Sequence, residues 1–158
     1  MNNILSHNPV LPQALRWPLK LIPDAMRHRL FCYSLNHVFK QSLLDDELAF
    51  LDGRSIAIIV EDANLRLCFG MRDNKLISRE TIKVADMTMQ GRAYDFLLML
   101  SRKEDPDTLF FNRRLKLSGD TELGLYVKNF LDSLEFTDRQ KLILTISDHA
   151  RHFAEKFG

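Results

Sequence analysis

The chain has 158 residues, of which 46% are hydrophobic and 27% charged, and its 22 basic side chains nearly balance 21 acidic ones for a net charge of +1. This length fits one domain that buries roughly 70% of the unfolded chain's surface, and the composition excludes a disordered chain, a collagen-like chain and a disulfide scaffold. The near-neutral charge argues against a nucleic-acid binder. The longest apolar runs, such as Ile56–Val60, are far shorter than the roughly 18 residues of a membrane-spanning helix. We therefore expect a cytoplasmic protein with reduced thiols.

Residues 1–23 differ in character from the rest, and we interpret them as an arm rather than a core helix. They carry four of the five prolines and no acidic residue. One interpretation is a peripheral membrane contact, in which apolar side chains enter the lipid interface and cations meet anionic lipid at the inner membrane. The alternative is that the arm packs on its own domain or on a neighbouring subunit. The residues assigned to the membrane contact are Leu15, Arg16, Trp17, Leu19 and Lys20.

The remaining residues, 24–158, predict a single α+β domain in which helices cover one face of a mostly antiparallel sheet. Apolar side chains three and four residues apart mark helices, and strict alternation marks strands. Helices are predicted over 24–44, 91–103, 120–134 and 137–157, with short helical turns at 48–51 and after 105. Strands are predicted over 55–61, 65–71, 76–77, 86–90 and 114–118, with a hairpin at 73–74. The first strand is apolar on both faces and is expected at the centre of the sheet.

Helix starts are indicated by residues that cap free backbone N–H groups. Asp105 precedes a proline, and Asp120 precedes the helix that carries Leu123. Thr137 and Gln140 have the spacing of a capping box. These three positions predict where the last three helical segments begin.

The sequence contains none of the motifs that carry nucleophilic or phosphate-binding chemistry. The six glycines are scattered, so no Walker A, GxGxxG or GxSxG motif is present. The carboxylates of 45–47 and 104–107 adjoin predicted helix starts, where the helix dipole favours negative charge. Cys68 lies in a predicted strand without an activating base nearby in sequence. We expect no enzymatic activity, no cofactor and no metal.

The supply of apolar side chains exceeds the cover that a small sheet requires. Large apolar faces are predicted on the helices that follow Gly91, Asp120 and Thr137, and at the turn 109–111. One explanation is an internal apolar cavity between sheet and helices, filled by lipid and closed by the last helix. The other is an ordinary packed core together with an interface between two copies of the chain.

The run RKEDPDTLFFNRRLKLSGDTELGLYVKN at 102–129 resembles the bacterial branch of the type-2 sterol carrier protein family. The similarity extends more loosely over about 18–135, through LKLIP at 19–23 and DELAFLDGR at 46–54. General members of the family share only a strand, a Gly-Asp pair and a helix, which here lie at 115–127. The segment after Glu135 departs from the family pattern, so closure of a cavity by that segment is a separate inference.

The resemblance implies a twisted, mostly antiparallel sheet of about five strands covered by helices, enclosing a hydrophobic tunnel, without catalytic residues. It further implies an accessory role in oxygen-independent ubiquinone biosynthesis, in which the protein holds or presents prenylated intermediates. The implied partners are an isoprenoid quinone precursor or a phospholipid, and UbiU and UbiV, iron–sulfur proteins that perform hydroxylation. The alternatives are a phospholipid or fatty-acid transfer protein and a purely scaffolding subunit.

On this hypothesis a polyprenyl or acyl chain leaves the membrane for the tunnel, which avoids exposing it to water at about 25 cal/mol per Å². For each predicted lining residue the alternative is a place in an ordinary core. Three basic residues, Arg113, Arg114 and Lys116, are candidates to face an anionic head group. The predicted tunnel-lining residues are Ile58, Phe69, Phe96, Leu100, Phe110, Leu115, Leu123, Val127, Phe130, Ile146 and Phe153.

Overall fold

The structure, a computed structural model, describes residues 21–157. The residues assigned to a membrane contact lie outside the described residues. The helices are α1 Asp24–Val38, α2 Lys40–Leu44, α3 Ala93–Leu100, α4 Pro106–Phe111, α5 Thr121–Ser133 and α6 Phe136–Phe157, with short 3-10 turns at Ala49–Leu51 and Glu61–Ala63. The strands are β1 Ser55–Val60, β2 Leu65–Arg72, β3 Lys75–Ser78, β4 Met87–Gly91 and β5 Leu115–Gly119.

The five strands form one sheet in the order β3-β2-β1-β4-β5. The β1–β4 pair is parallel and the other three pairs are antiparallel. The predicted α+β class and the mostly antiparallel sheet are therefore confirmed, with β1 at the centre as expected.

Two sequence predictions of helix limits are wrong in detail. The helix predicted over 24–44 is interrupted at Phe39, which leaves helical geometry while both Phe39 and Leu43 remain buried. The capping box at Thr137 does not start the last helix, because α6 begins at Phe136 and the N–H of Arg139 donates to the carbonyl of Glu135 at 3.1 Å. The Asp120 cap is confirmed, since its Oδ1 accepts from the N–H of Leu123 at 3.0 Å.

The Gly-Asp pair between β5 and α5 is required by a close approach of two backbones. Gly119 has a φ of +95°, and a Cβ there would lie 2.3 Å from the carbonyl oxygen of Asp86. The Asp120 N–H donates to that same oxygen at 2.8 Å, and Ser55 donates to the Asp86 side chain through its N–H and its hydroxyl. This network joins the start of β1, the start of β4 and the start of α5.

The free edge of the sheet at β3 is closed by a side chain of α1. The amide of Asn36 donates to the carbonyl of Leu76 at 2.7 Å and accepts from the N–H of Leu76 at 2.8 Å. A side-chain amide therefore supplies the two hydrogen bonds that a neighbouring strand would supply. This pairing fixes α1 beside the edge of the sheet and over the helix-covered face.

The core has two unequal parts. The larger cluster lies between one face of the sheet and the helices, and it includes residues from all five strands. The smaller cluster, Ala57, Cys68 and Ala85 with Ile82 against it, lies under the other face. Helix cover is therefore concentrated on one face, where the candidate site is found.

Candidate functional site

The floor of the candidate site is one apolar face of the three strands β1, β2 and β4. Ile58 of β1 stands directly between Leu67 of β2 and Met89 of β4 in the register of the sheet. The next layer repeats the pattern, with Ile56 between Phe69 and Met87. Because side chains alternate across a strand, these residues all project to the same side, toward the helices.

A cavity of about 350 Å³ lies between this floor and the helices. Its roof comes from α1, the 49–51 turn, α3, α5 and the first half of α6. Among the lining residues whose side chains the structure describes, Ser147 alone carries a polar side chain, and its hydroxyl donates to the carbonyl of Ile143 at 2.8 Å. The lining residues are Phe31, Leu35, Phe39, Leu48, Phe50, Leu51, Ile56, Ile58, Val60, Leu65, Leu67, Phe69, Leu76, Met87, Met89, Ala93, Phe96, Leu97, Met99, Leu100, Val127, Phe130, Leu131, Leu142, Ile143 and Ser147.

The cavity opens between α3 and α6. Leu97 of α3 is 42% exposed although it lines the cavity, and Ser147 of α6 is exposed as well. Lining residues that face both the cavity and solvent mark an opening, which we call the mouth. Ile58, in the middle of the central strand, is only half-buried, because empty space rather than a packed side chain lies above it.

A buried arginine fastens the roof helix α6 to its neighbours. Arg139 is 3% exposed, and its guanidinium donates to carbonyl oxygens of Met99 at the end of α3 and of Leu131 and Leu134 at the end of α5. These carbonyls belong to the last turns of the two helices, where the negative end of the helix dipole favours a cation. Burial lowers the pKa of this guanidinium. Arg139 therefore joins the ends of three roof helices.

Helix α3 is also held at its first turn. The N–H of Ala93 donates to the Asp62 carboxylate at 2.9 Å, which caps the start of the helix from the turn after β1. In the same turn, the buried Asp95 accepts from Nε of Arg114 at 2.7 Å. Arg114 also donates to Glu104 at 2.8 Å. Fixed at these points, α3 can form one wall of the mouth.

The structure brings some of the predicted tunnel residues together and separates others. Six line the cavity: Ile58, Phe69, Phe96, Leu100, Val127 and Phe130. Leu115 and Leu123 are 1% and 0% exposed in the packed core, and Phe110 packs against that core. None of these three lines the cavity. The side chains of Ile146 and Phe153 on α6 lie outside the described part of the chain.

The three basic candidates differ in their surroundings. Arg114 is occupied by the carboxylates of Asp95 and Glu104, so its guanidinium ties α3 and the segment after α3 to the turn before β5. Arg113 has a positive φ in the turn before β5 and is exposed. Lys116 is exposed and stands opposite Gln90. By alternation it projects to the sheet face away from the cavity.

Sequence reasoning missed much of the roof. Phe31 and Leu35 lie on one face of α1, and Phe39 follows four residues later just after its end, at the spacing that marks a helix face turned toward a core. The sequence offered this signal, but it does not tell a lining residue from a packed one. No pattern in the sequence indicated the role of Arg139, because its partners are backbone carbonyls of other helices.

The two thiols are unsuited to nucleophilic chemistry. Burial raises the pKa of the Cys32 thiol to about 12, and burial also raises the pKa of the Cys68 thiol. Within residues 21–157, no group of three or more His, Cys, Asp or Glu side chains is placed to hold a metal ion. The helices of that same part include none with the length and apolar character to cross a bilayer.

The fold and the cavity define an α+β protein in which helices on one face of a sheet enclose an apolar space. Residues 35–132 match the SCP-2 sterol transfer family. The chain belongs to this family, and the resemblance noted in the sequence is confirmed.

Similar proteins extend this result. The chain is 42% identical over 132 residues to the ubiquinone biosynthesis accessory factor UbiT of Escherichia coli strain K12, an alignment that covers 84% of this chain and 75% of UbiT. Among solved structures, UbiJ-SCP2, a ubiquinone synthesis protein, has a TM-score of 0.51 at 17% identity, covering 62% of this chain and 86% of that one. The alkylsulfatase Pisa1 of Pseudomonas sp. has a TM-score of 0.50 at 19% identity, covering 73% of this chain and 17% of that one. At these identities the structural likenesses concern the fold.

Proposed function

We propose that this protein is a non-catalytic accessory protein that binds a prenylated intermediate of ubiquinone biosynthesis and presents it to modifying enzymes. The observation that carries the proposal is the apolar cavity of about 350 Å³. Its described lining, of aliphatic, aromatic and methionine side chains with Ser147, suits a hydrocarbon chain, and none of these described side chains is a general acid or base. The similarity to UbiT over most of both chains supports the pathway.

The proposal extends to oxygen-independent synthesis, with UbiU and UbiV as the partners that hydroxylate the presented ring. The proposal also places the protein in the cytoplasm and, while it takes up its lipid, peripherally at the inner membrane. The arm around Trp17 is the proposed membrane contact. Arg113 and Lys116 are exposed cations that can meet an anionic surface. A deletion of residues 1–20 that leaves liposome sedimentation unchanged contradicts membrane docking by the arm.

The direct test is mass spectrometry of an organic extract of the purified protein. The proposal expects a prenylated quinone precursor. Phospholipid or fatty acid in its place supports the transfer-protein alternative, for which the cavity offers an equally apolar lining. An extract free of lipid, from a protein that binds neither class when supplied, supports the scaffolding alternative and overturns the proposal.

The pathway is tested separately by gene deletion. Loss of ubiquinone in cells grown without oxygen, with normal ubiquinone in aerated cells, is the expected result. Equal ubiquinone under both conditions contradicts the oxygen-independent role and leaves lipid binding untouched.

A further inference from the structure

The two edges of the sheet differ in how far their backbone groups are occupied. At the β3 edge, the side chain of Asn36 bonds to the N–H and the carbonyl of Leu76. At the opposite edge, residues 116–119 of β5 are exposed, and the apolar Leu117 is 41% exposed. Among the strands of residues 21–157, none pairs with the outer side of β5. An exposed strand edge is a template for pairing with another chain.

The hydrogen bonds to β4 show which backbone groups of β5 face outward. The N–H of Asp120 donates to the carbonyl of Asp86 at 2.8 Å, and these two positions continue the register of the β4–β5 pair. In an antiparallel ladder, hydrogen-bonded pairs alternate with pairs that are not hydrogen-bonded. Every second residue counted back from Asp120 therefore bonds to β4, whereas the N–H and carbonyl groups of Leu117 and Gly119 point away from it.

The charges along this edge are complementary to themselves. The accessible stretch is 116–120, which we call the β5 edge, and Ser118 lies at its centre. Lys116 at one end is exposed, and the Asp120 side chain at the other end is 36% exposed. When two copies of this stretch run antiparallel about Ser118, Lys116 of each copy lies opposite Asp120 of the other. Opposite charges that face each other across two strands stabilise the pair.

We propose that two copies of this chain associate through their β5 edges, as antiparallel strands with Ser118 opposite Ser118. Leu117 of each copy then lies opposite Gly119 of the other, and their outward N–H and carbonyl groups bond to each other. Because paired strands share the same two faces, the helices of both copies lie on one side of a continuous sheet. The association does not depend on which lipid the cavity binds.

The size of the β5 edge indicates a weak, reversible dimer. A standard protein interface buries about 800 Å² on each partner, and interfaces well below this size belong to transient complexes. Two short strands with their nearest side chains form an interface of this small kind. We therefore expect a dissociation constant of about 10–100 µM for the dimer.

The first experiment is sedimentation equilibrium of the full chain, at concentrations from well below to well above that constant. Lys116→Glu places like charges opposite each other at both ends of the pairing, so the dissociation constant should rise at least tenfold. The matched control is Lys75→Glu, which makes the same change at an exposed position of the β3 edge. This control should leave the dissociation constant within about twofold of the parent.

A neutral variant distinguishes pairing from protection of the edge. Natural proteins also place lysine on strand edges to prevent pairing with other chains. If Lys116 had that role, Lys116→Ala would associate more tightly than the parent. The proposal expects the reverse, a weaker dimer, because each Asp120 loses the cation opposite it.

The second experiment tests the register by oxidative cross-linking with copper phenanthroline. Ser118→Cys places two thiols opposite each other at a Cα separation of about 4.5 Å, which suits a disulfide. Lys116→Cys is the control, because the two copies of this residue lie four positions apart, more than about 10 Å. Cys32 and Cys68 are buried, so the parent should not cross-link. We expect a disulfide dimer from Ser118→Cys and monomer from the control.

The contrary results are equally specific. A parent protein that stays monomeric at every concentration overturns the proposal, and so does tighter association of Lys116→Ala. Equal effects of Lys116→Glu and Lys75→Glu, or equal cross-linking of the two cysteine variants, place the contact elsewhere and overturn it as well. None of these results bears on lipid binding, because no residue of 116–120 lines the cavity.

Discussion

Replacing Ile58 by tryptophan should shorten the chain that the cavity can enclose. Ile58 lies at the middle of the cavity floor, half-buried beneath empty space. An engineered apolar cavity of about 150 Å³ binds one benzene molecule, which has six carbons. Tryptophan has six more side-chain heavy atoms than isoleucine, so on this scale it should occupy about 150 Å³ of the cavity. About 200 Å³ of the 350 Å³ would remain, enough for about eight carbons.

The smaller cavity should bind farnesol, a prenyl alcohol of fifteen carbons, more weakly. With about six fewer carbons enclosed, each contributing up to about fourfold, we expect at least a tenfold and at most about a 4000-fold increase in its dissociation constant. The dissociation constant of geraniol, a prenyl alcohol of ten carbons, should rise much less, because most of its chain still fits. Equilibrium dialysis with both alcohols measures the difference.

The neighbouring residue provides a matched control. Ile59 is also half-buried in β1, but it projects to the other face of the sheet, between Arg66 and Gln90. Ile59→Trp should leave farnesol affinity within about twofold of the parent, since no cavity carbon is displaced. Ile58→Phe, with three added heavy atoms, gives a smaller step if the tryptophan variant does not fold. A folded Ile58→Trp protein that binds farnesol like the parent refutes the assignment of this cavity as the binding site.

The other predictions concern stability, measured by urea denaturation. Arg139→Met should lower the free energy of unfolding by about 2–4 kcal/mol, because carbonyls at two helix ends lose a charged donor; an unchanged value contradicts its fastening role. Gly119→Ala should cost about 2–4 kcal/mol, because overlap with the backbone of Asp86 adds to the strain of a positive φ. Gly53→Ala should cost about 1 kcal/mol, because φ is +69° there but space is open; equal losses contradict the steric argument. Burial lowers the pKa of His28 below 6.5, so the unfolded chain binds the extra proton and stability should fall as the pH falls below 6.5. His28→Gln should flatten this slope, and the variant at exposed His37 should keep it.

Local patterns were sufficient to predict most elements of the fold. Alternation in β2, apolar character on both faces of β1, and the cap at Asp120 depend on residues close in sequence, and all three are present in the structure. The break at Phe39 was not predictable in this way, because it places a ring against Phe130 at 5.2 Å, far away in sequence. Helix propensity depends on residues close in sequence, so it does not predict such a contact.

The position of the cavity depends on how closely each helix approaches the sheet. Over β4 and β5 the approach of α5 is close: a Cβ at Gly124 would lie 3.6 Å from Sδ of Met87 and 3.8 Å from the Leu117 side chain. The side chains of Leu115 and Leu123 fill that side. They were predicted to line a tunnel, since their apolar character and spacing are the same as those of true lining residues.

By itself, the sequence determined the class of the protein. Its period changes define a mostly antiparallel sheet with helices on one face, its apolar excess indicates a cavity or an interface, and the run around Asp105-Pro106 and Gly119-Asp120 identifies the family. Only the tertiary structure decided where the empty space lies, how large it is and where it opens, because these depend on distances between α3, α6 and the sheet. Those distances are fixed by contacts such as that of Arg139 with Met99, whose two partners are 40 residues apart and leave no trace in any local pattern.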